Sequence, residues 1–295
     1  MMFPFVEQLA GHGFPVTVSC ALVGVSTSGF YEWRNRPPSQ RDRDDAGLLE
    51  HIEASHRLSR GTYGARRVHA DLRLGLGIRC GRKRVERLMR THGLVGVHRR
   101  RLRGCTRRNP EAVPSDDLVD RAFTVTELDR LWVADITQHR TGEGWVYLAA
   151  VIDACSRRVV GWSIADHLRA ELVVDALQMA IWRRRPPAGR VVHHSDHGAQ
   201  YTSWAFGQRL RTAGLLGSMG SIGDCFDNAL AESFFATVQT ELLDRHRWPT
   251  RRGLAAALFD YIERFYNPTR RHSRLGYLSP IDYETTLAHP GTVAA

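Results

Sequence analysis

From residue 131 onward, three β-rich runs follow one another at turn-length intervals, and helical and strand-like patterns then alternate to residue 219. That order limits the fold more than any other feature of the chain. The runs are 131–136, 145–153 and 158–164, separated by Thr141-Gly-Glu-Gly and Ala154-Cys-Ser-Arg, the spacing of consecutive antiparallel hairpins. A helical pattern over 170–182, a buried strand over 190–195, a helix over 203–213 and a short strand over 215–219 come next. Helices over 227–243 and 252–266 complete the sequence. The expected class is α/β: a mixed five-stranded sheet with helices on its faces. Trp162, Trp182, Phe234 and Phe235 have apolar neighbours and are expected in its core.

Three acids fall at telling places on this plan. Asp135 closes the apolar run Leu131-Trp-Val-Ala-Asp, Asp196 follows Val191-Val-His-His-Ser, and Glu232 lies in the helical stretch Asn228-Ala-Leu-Ala-Glu-Ser-Phe-Phe. Carboxylates from distant segments that meet at one point form a site for a hard divalent cation such as Mg2+, which takes oxygen ligands and keeps several waters for substrate phosphate to replace. Two such ions ~3.5–4 Å apart activate an attacking oxygen and stabilise the leaving one. Such a reaction requires no nucleophilic side chain, which suits a chain without a persuasive Ser-His or Cys-His pair. His193 and His194 are adjacent on a strand, so one faces the core and the other the site; packing or support of a ligand is the expected role. Asp153 ends the second strand and is read as a turn residue. Asp227 is read as a helix N-cap. Gly198 permits a tight turn after Asp196, and Gln200 lies within reach of DNA.

Charge is concentrated upstream of the sheet. Residues 57–108 hold 17 Lys and Arg against two acids, a local +15 in a chain whose total is +10. Such a block attracts a polyanion by counterion release, and no lipid-facing pattern accompanies it, so DNA or RNA is the expected partner and a membrane is not. Over 81–92, Val85, Leu88 and Met89 make one apolar stripe, while Arg82, Lys83, Arg84, Arg87 and Arg90 occupy the rest, so one side packs and another meets phosphate. Arg99, Arg100 and Arg101 begin a basic linker that either orders on DNA or remains a tether. Arg270, Arg271, His272 and Arg274 form a second basic cluster, read as a DNA backbone contact. Before the basic block, two short helices around Gly24-Val-Ser, with Ser26 or Thr27 as cap, have helix-turn-helix spacing or form a small structural hairpin.

The expected organisation is a helical segment over 1–36, a linker over 37–44, a basic helical DNA-binding module over 45–98 and a basic linker over 99–122. A catalytic core over 123–245 and a C-terminal helix with basic tail over 246–295 follow. Five scattered cysteines without a C-x-x-C pair fit a reduced, cytoplasmic protein.

Several motifs together resemble one family. They are Leu131-Trp-Val-Ala-Asp-Ile-Thr, Tyr147-Leu-Ala-Ala-Val-Ile-Asp, Ser156-Arg-Arg-Val-Val-Gly-Trp, His194-Ser-Asp-His-Gly-Ala-Gln-Tyr-Thr-Ser, Asp227-Asn-Ala-Leu-Ala-Glu-Ser-Phe-Phe and Tyr266-Asn-Pro-Thr-Arg-Arg-His-Ser-Arg-Leu-Gly-Tyr. The set resembles the second-reading-frame product of bacterial insertion sequences of the IS-three family, within the retroviral-integrase superfamily, over nearly the whole chain. The 35 residues between Asp196 and Glu232 match the interval of that family's acidic triad.

The resemblance implies a ribonuclease-H-like core preceded by a small all-α helix-turn-helix-type module. It implies Mg2+ or Mn2+ held by Asp135, Asp196 and Glu232, two ions in number. The implied reaction frees a 3′-OH at the element's end, which then attacks another strand. It also implies a homo-oligomer on DNA and a longer product fused to the upstream frame. One position departs: relatives commonly carry Lys or Arg seven residues after the glutamate, and here Gln239 stands there, leaving Arg245 and Arg247 as the next cations. That departure keeps a catalytically silent DNA-binding remnant, or an inhibitor of transposition, as the alternative. A nuclease acting on RNA–DNA hybrids is disfavoured by the basic module.

Overall fold

A computed structural model describes residues 2–98, 125–196, 198–219 and 229–289. Two compact units divide the chain between His51 and Ile52. In the first, α1 (Phe3–Gly11), α2 (Val16–Leu22) and α3 (Thr27–Asn35) close on Val6, Cys20 and Phe30. The Ser26 hydroxyl accepts the Gly29 amide at 3.0 Å and starts α3, as its sequence position suggested. The helix α1 was not anticipated; Pro4 sits in its first turn, and the Phe3 ring stacks on Trp33 with centroids 5.8 Å apart.

The expected linker over 37–44 is helical from Gln40, because α4 (Gln40–Leu58) begins there. Ser39 and Asp42 explain the start: the Ser39 hydroxyl accepts the Asp42 amide, while the Asp42 carboxylate accepts the Ser39 amide, each at 3.2 Å. This reciprocal pair satisfies two amides that would otherwise be orphaned at a helix start.

In the second unit, α5 (Ala65–Gly75) packs on α6 (Arg82–Thr91). Val85, Leu88 and Met89 are buried as the periodicity required, and Arg82, Lys83 and Arg90 are exposed. This pair belongs to the same compact unit as the sheet. Arg60 meets Asp260 at 2.7 Å, Arg271 meets Asp71 at 2.9 Å, and the Arg271 amide donates to the Tyr63 hydroxyl at 2.7 Å.

The sheet has five strands in the order β3-β2-β1-β4-β5. These are β1 (Leu131–Thr141), β2 (Gly144–Asp153), β3 (Val159–Ala165), β4 (Val192–Ser195) and β5 (Leu216–Met219). The first three form an antiparallel meander, and β4 and β5 add in parallel to β1. This is the mixed five-stranded sheet, with helices on its faces, that the sequence led to expect. Helix α7 (Ala170–Arg184) lies on β3 and β2, with Trp132, Val151, Leu172 and Leu177 buried between them. Gly161 allows that approach: a Cβ there would stand 2.1 Å from the Ala176 carbonyl oxygen. Trp182 is a correction to the expected core. It is 68 % exposed on the outer side of α7, whereas Phe234 is buried.

Helix α8 (Trp204–Thr212) follows β4, and α9 (Ala229–Glu241) packs on β1. The expected final helix runs as α10 (Arg251–Asp260) and continues as a π-helical turn, Tyr261–Tyr266. Asn267 then docks on the sheet, its side-chain amide exchanging two 3.0 Å hydrogen bonds with the Val159 backbone. A further helix, α11 (Pro280–Ala288), was missed although Ser279 caps it by accepting the Asp282 amide at 3.1 Å.

Candidate active site

The pairing of β1 with β4 aligns Leu131 with Val192, Trp132 with His193 and Val133 with His194. Carried two residues on, that register sets Asp135 level with Asp196, which directly follows β4. Parallel strands whose apolar runs end at one level thus bring two carboxylates to the same level of the sheet. Both line a cavity of about 410 Å³ together with Gln138, Tyr147, Gln200 and Tyr201. Asp135 accepts the Ile136 amide at 2.7 Å, and Asp196 accepts the Gly198 amide at 3.0 Å. A Cβ on Gly198 would come within 2.9 Å of the Asp196 carboxylate, so a larger residue there would make that carboxylate shift.

Further along, the Tyr201 amide donates to the Gly198 carbonyl at 2.9 Å. Tyr201 is 2 % exposed, and among the described residues its hydroxyl has no hydrogen-bond partner. Burial, reinforced by the charges of Asp135 and Asp196, holds its pKa well above the ordinary value. The phenol is therefore a neutral donor beside two acids. Sequence reasoning quoted this tyrosine in a motif without giving it a role; five positions after a candidate ligand, it was open to inspection. Gln200 is a cavity residue as well, its amide donating to the Leu168 carbonyl at 3.1 Å.

Glu232 stands in the first turn of α9, exposed, on the helix that packs against β1. It does not line the cavity of the two aspartates, and among the described residues no group of three or more His, Cys, Asp or Glu side chains is gathered as a metal site. The donor chemistry nonetheless suits a hard cation: two carboxylates line one cavity with a buried hydroxyl that has no partner among the described residues. Asp227, read as a cap for this helix, lies outside the described residues. Gln239 is engaged on its own helix end, its amide donating to Asp244.

Comparison with known proteins gives these features a family. Residues 126–225 and 232–287 each match an integrase core domain, and residues 42–101 match an HTH-like domain. The chain is 37 % identical over 289 residues to the transposase for insertion sequence element IS629 of Shigella sonnei, covering 96 % of this chain and 95 % of that protein. It is 36 % identical to transposase InsF for insertion sequence IS3A of Escherichia coli K12, with 96 % and 98 % covered. The chain belongs to the IS-three family of insertion-sequence transposases. Among solved structures, the HTLV-2 integrase catalytic core domain in complex with magnesium aligns at 17 % identity over 52 % of this chain and 94 % of its own, with a TM-score of 0.39.

The basic residues of this transposase-family chain divide into two groups. Arg82, Lys83 and Arg90 are solvent-facing on α6, with Arg84 and Arg87 partly buried beside the apolar stripe. Arg99, Arg100 and Arg101 lie outside the described residues. Arg270 and Arg271, expected to touch DNA, are a correction: they are 4 % and 9 % exposed and point into the protein. Arg270 donates through two nitrogens to Glu241 at 2.8 and 2.6 Å, and Glu241 also receives Arg67 at 3.1 Å and the Tyr261 hydroxyl at 2.8 Å. Burial alone would raise the Glu241 pKa, but the Arg270 hydrogen bond and the charges of Arg270 and Arg67 bring it below its ordinary value. Guanidiniums look alike in sequence whether they answer a buried carboxylate or a phosphate, and the acid that decides this case is 29 residues away.

The histidines divide as β-strand alternation requires. His193 is buried against Tyr201 and Phe206, and desolvation lowers its pKa to about 4. His194 lies 3.1 Å from the Ser218 hydroxyl on β5. Asp153 is a turn residue, accepting the amides of Asp129, Cys155 and Ser156 and the Ser156 hydroxyl.

Proposed function

We propose that this chain cleaves DNA at the ends of an insertion sequence and joins the freed 3′-OH to a target strand, with Asp135, Asp196 and Glu232 as ligands of Mg2+ or Mn2+, two ions in all. The observation that carries the proposal is the level placing of Asp135, on β1, and Asp196, directly after the parallel strand β4, at one cavity. When bound, the divalent cations supply charge to the reacting phosphodiester and lower the pKa of an attacking water. The aspartates are hard oxygen donors on rigid strands, which fixes where the phosphodiester sits. Tyr201, neutral and buried below them, offers a proton to an oxygen atom entering the cavity.

Both chemical steps are in-line displacements at phosphorus. Water forms the new P–O bond in the first and the 3′ oxygen leaves as the 3′-OH; in the second that hydroxyl attacks, and a target-strand 3′ oxygen leaves. Glu232 enters this set from α9, the helix docked on the strand that carries Asp135. Helix α6 meets the DNA backbone through Arg82, Lys83, Arg84, Arg87 and Arg90, giving affinity without sequence choice. The working species is a homo-oligomer on double-stranded DNA, with a fused upstream-frame product as the end-recognising form.

Asp135→Asn, Asp196→Asn and Glu232→Gln are each expected to abolish Mn2+-dependent nicking of duplex carrying the element's ends while leaving duplex affinity within about twofold. Nicking retained by all three variants would refute the assignment.

A further inference from the structure

Beside α9 lies a second cavity, about 150 Å³, whose lining includes Arg67, Arg157, Arg270, Arg274, Thr237 and His272. Four guanidiniums share one small space. Glu241 answers two of them, Arg67 and Arg270. Among the described residues, Arg157 and Arg274 have no carboxylate partner. The Arg157 pKa is lowered by burial and next by the charge of Arg274, against the opposing pull of Tyr266 and Asp153.

Arg157 is held there by its backbone. It adopts φ +62 in the turn between β2 and β3, a left-handed conformation uncommon for a side-chain-bearing residue, with its amide donating to the Asp153 carbonyl at 2.9 Å. His272 completes the polarity. Burial, then Arg270, Arg67 and Arg157, hold its pKa well below the ordinary range, so the ring is neutral. Its Nε2 lies 3.3 Å from a guanidinium nitrogen of Arg270 and accepts from it, which leaves the proton on Nδ1 as a further donor. An excess of donors and positive charge around one cavity is an arrangement completed by an anion.

We propose that this cavity takes a single phosphate group of the DNA backbone, clamped by Arg157 and Arg274 and backed by the Arg67–Glu241–Arg270 cluster. The clamp sits on the helix whose first turn carries Glu232, with Ser233 and Thr237 in its lining. The inference rests on DNA being the substrate, but it does not depend on the assignment of the metal ligands.

The test is fluorescence anisotropy of the full chain on a labelled duplex across a salt series without divalent metal. Arg157→Gln with Arg274→Gln should weaken binding about tenfold and reduce the slope of log K against log salt by about 0.9, the loss of one phosphate contact. Inorganic phosphate should raise the thermal midpoint of the parent chain and leave that of the double variant unmoved. If Arg157→Gln disturbs folding, the exposed Arg274→Gln alone should still weaken duplex binding about threefold, and Arg274→Lys should restore part of it.

Unchanged duplex affinity and slope in a folded variant would overturn the proposal. So would loss of the response to inorganic phosphate with duplex binding intact, which would make the cavity a free-phosphate site. Asp196→Asn, assayed for nicking alongside, separates this outcome from failure of the catalytic reading.

Discussion

Replacing Glu241 by Gln should unfold the second unit far more readily than any surface change. The carboxylate is 6 % exposed and receives two bonds from Arg270, one from Arg67 and one from Tyr261. Gln keeps the shape but removes the charge, leaving Arg270, with a side chain 4 % exposed, and Arg67 without the negative charge between them. Removing one partner of a buried ion pair costs about 3–5 kcal/mol, because the remaining charge stays desolvated. At about 2–4 °C per kcal/mol for a unit of this size, the thermal midpoint should fall by roughly 6–20 °C. Urea unfolding followed by circular dichroism measures the loss directly.

The sign with pH follows from the lowered folded-state pKa of Glu241. Its contribution is fully present above the unfolded glutamate value of about 4.3 and is lost as pH falls through the folded value. The difference between parent and Glu241→Gln should therefore shrink in acid. A loss below about 1 kcal/mol at neutral pH would refute the reasoning. It would return Arg270 to the surface role its sequence neighbourhood suggested, and Arg270→Gln should then weaken DNA binding at unchanged stability.

Two further outcomes are expected. His193 is neutral in the fold, so the unfolded chain binds the extra proton between pH 6.5 and about 4, and stability should decline over that window by on the order of 3 kcal/mol. His193→Leu should flatten the decline, and a parent chain equally stable at pH 6.5 and 4.5 would contradict the burial argument. Tyr201→Phe removes a buried hydroxyl without a partner, so the metal-free protein should gain on the order of 1 kcal/mol in urea unfolding. A loss of stability there would mean the hydroxyl is already satisfied.

The sheet was legible because its signals are local. Strands β1 to β3 announce themselves by apolar runs between turns, and the stripe of Val85, Leu88 and Met89 on α6 needs only helical periodicity. The level placing of Asp135 and Asp196 was legible through motif position and is realised by strand register. What failed needed partners distant in sequence. Arg271 is buried because Asp71 lies 200 residues before it, and Trp182 is exposed because its helix turns that position outward. The start of α4 was missed for a different reason: a Pro-Pro pair followed by alternating charges looks like a linker unless Ser39 and Asp42 are read as a reciprocal cap. Arg157 gave no sequence signal, since its placement follows from a left-handed turn.

The bonds that join Arg60 to Asp260 and Arg271 to Asp71 and Tyr63 make α5 and α6 part of the same solid body as the sheet. The span from the arginines of α6 to the aspartate pair is thereby a built-in ruler. Under the proposed roles, a duplex gripped by α6 would meet the acids at a separation set by this one folded unit.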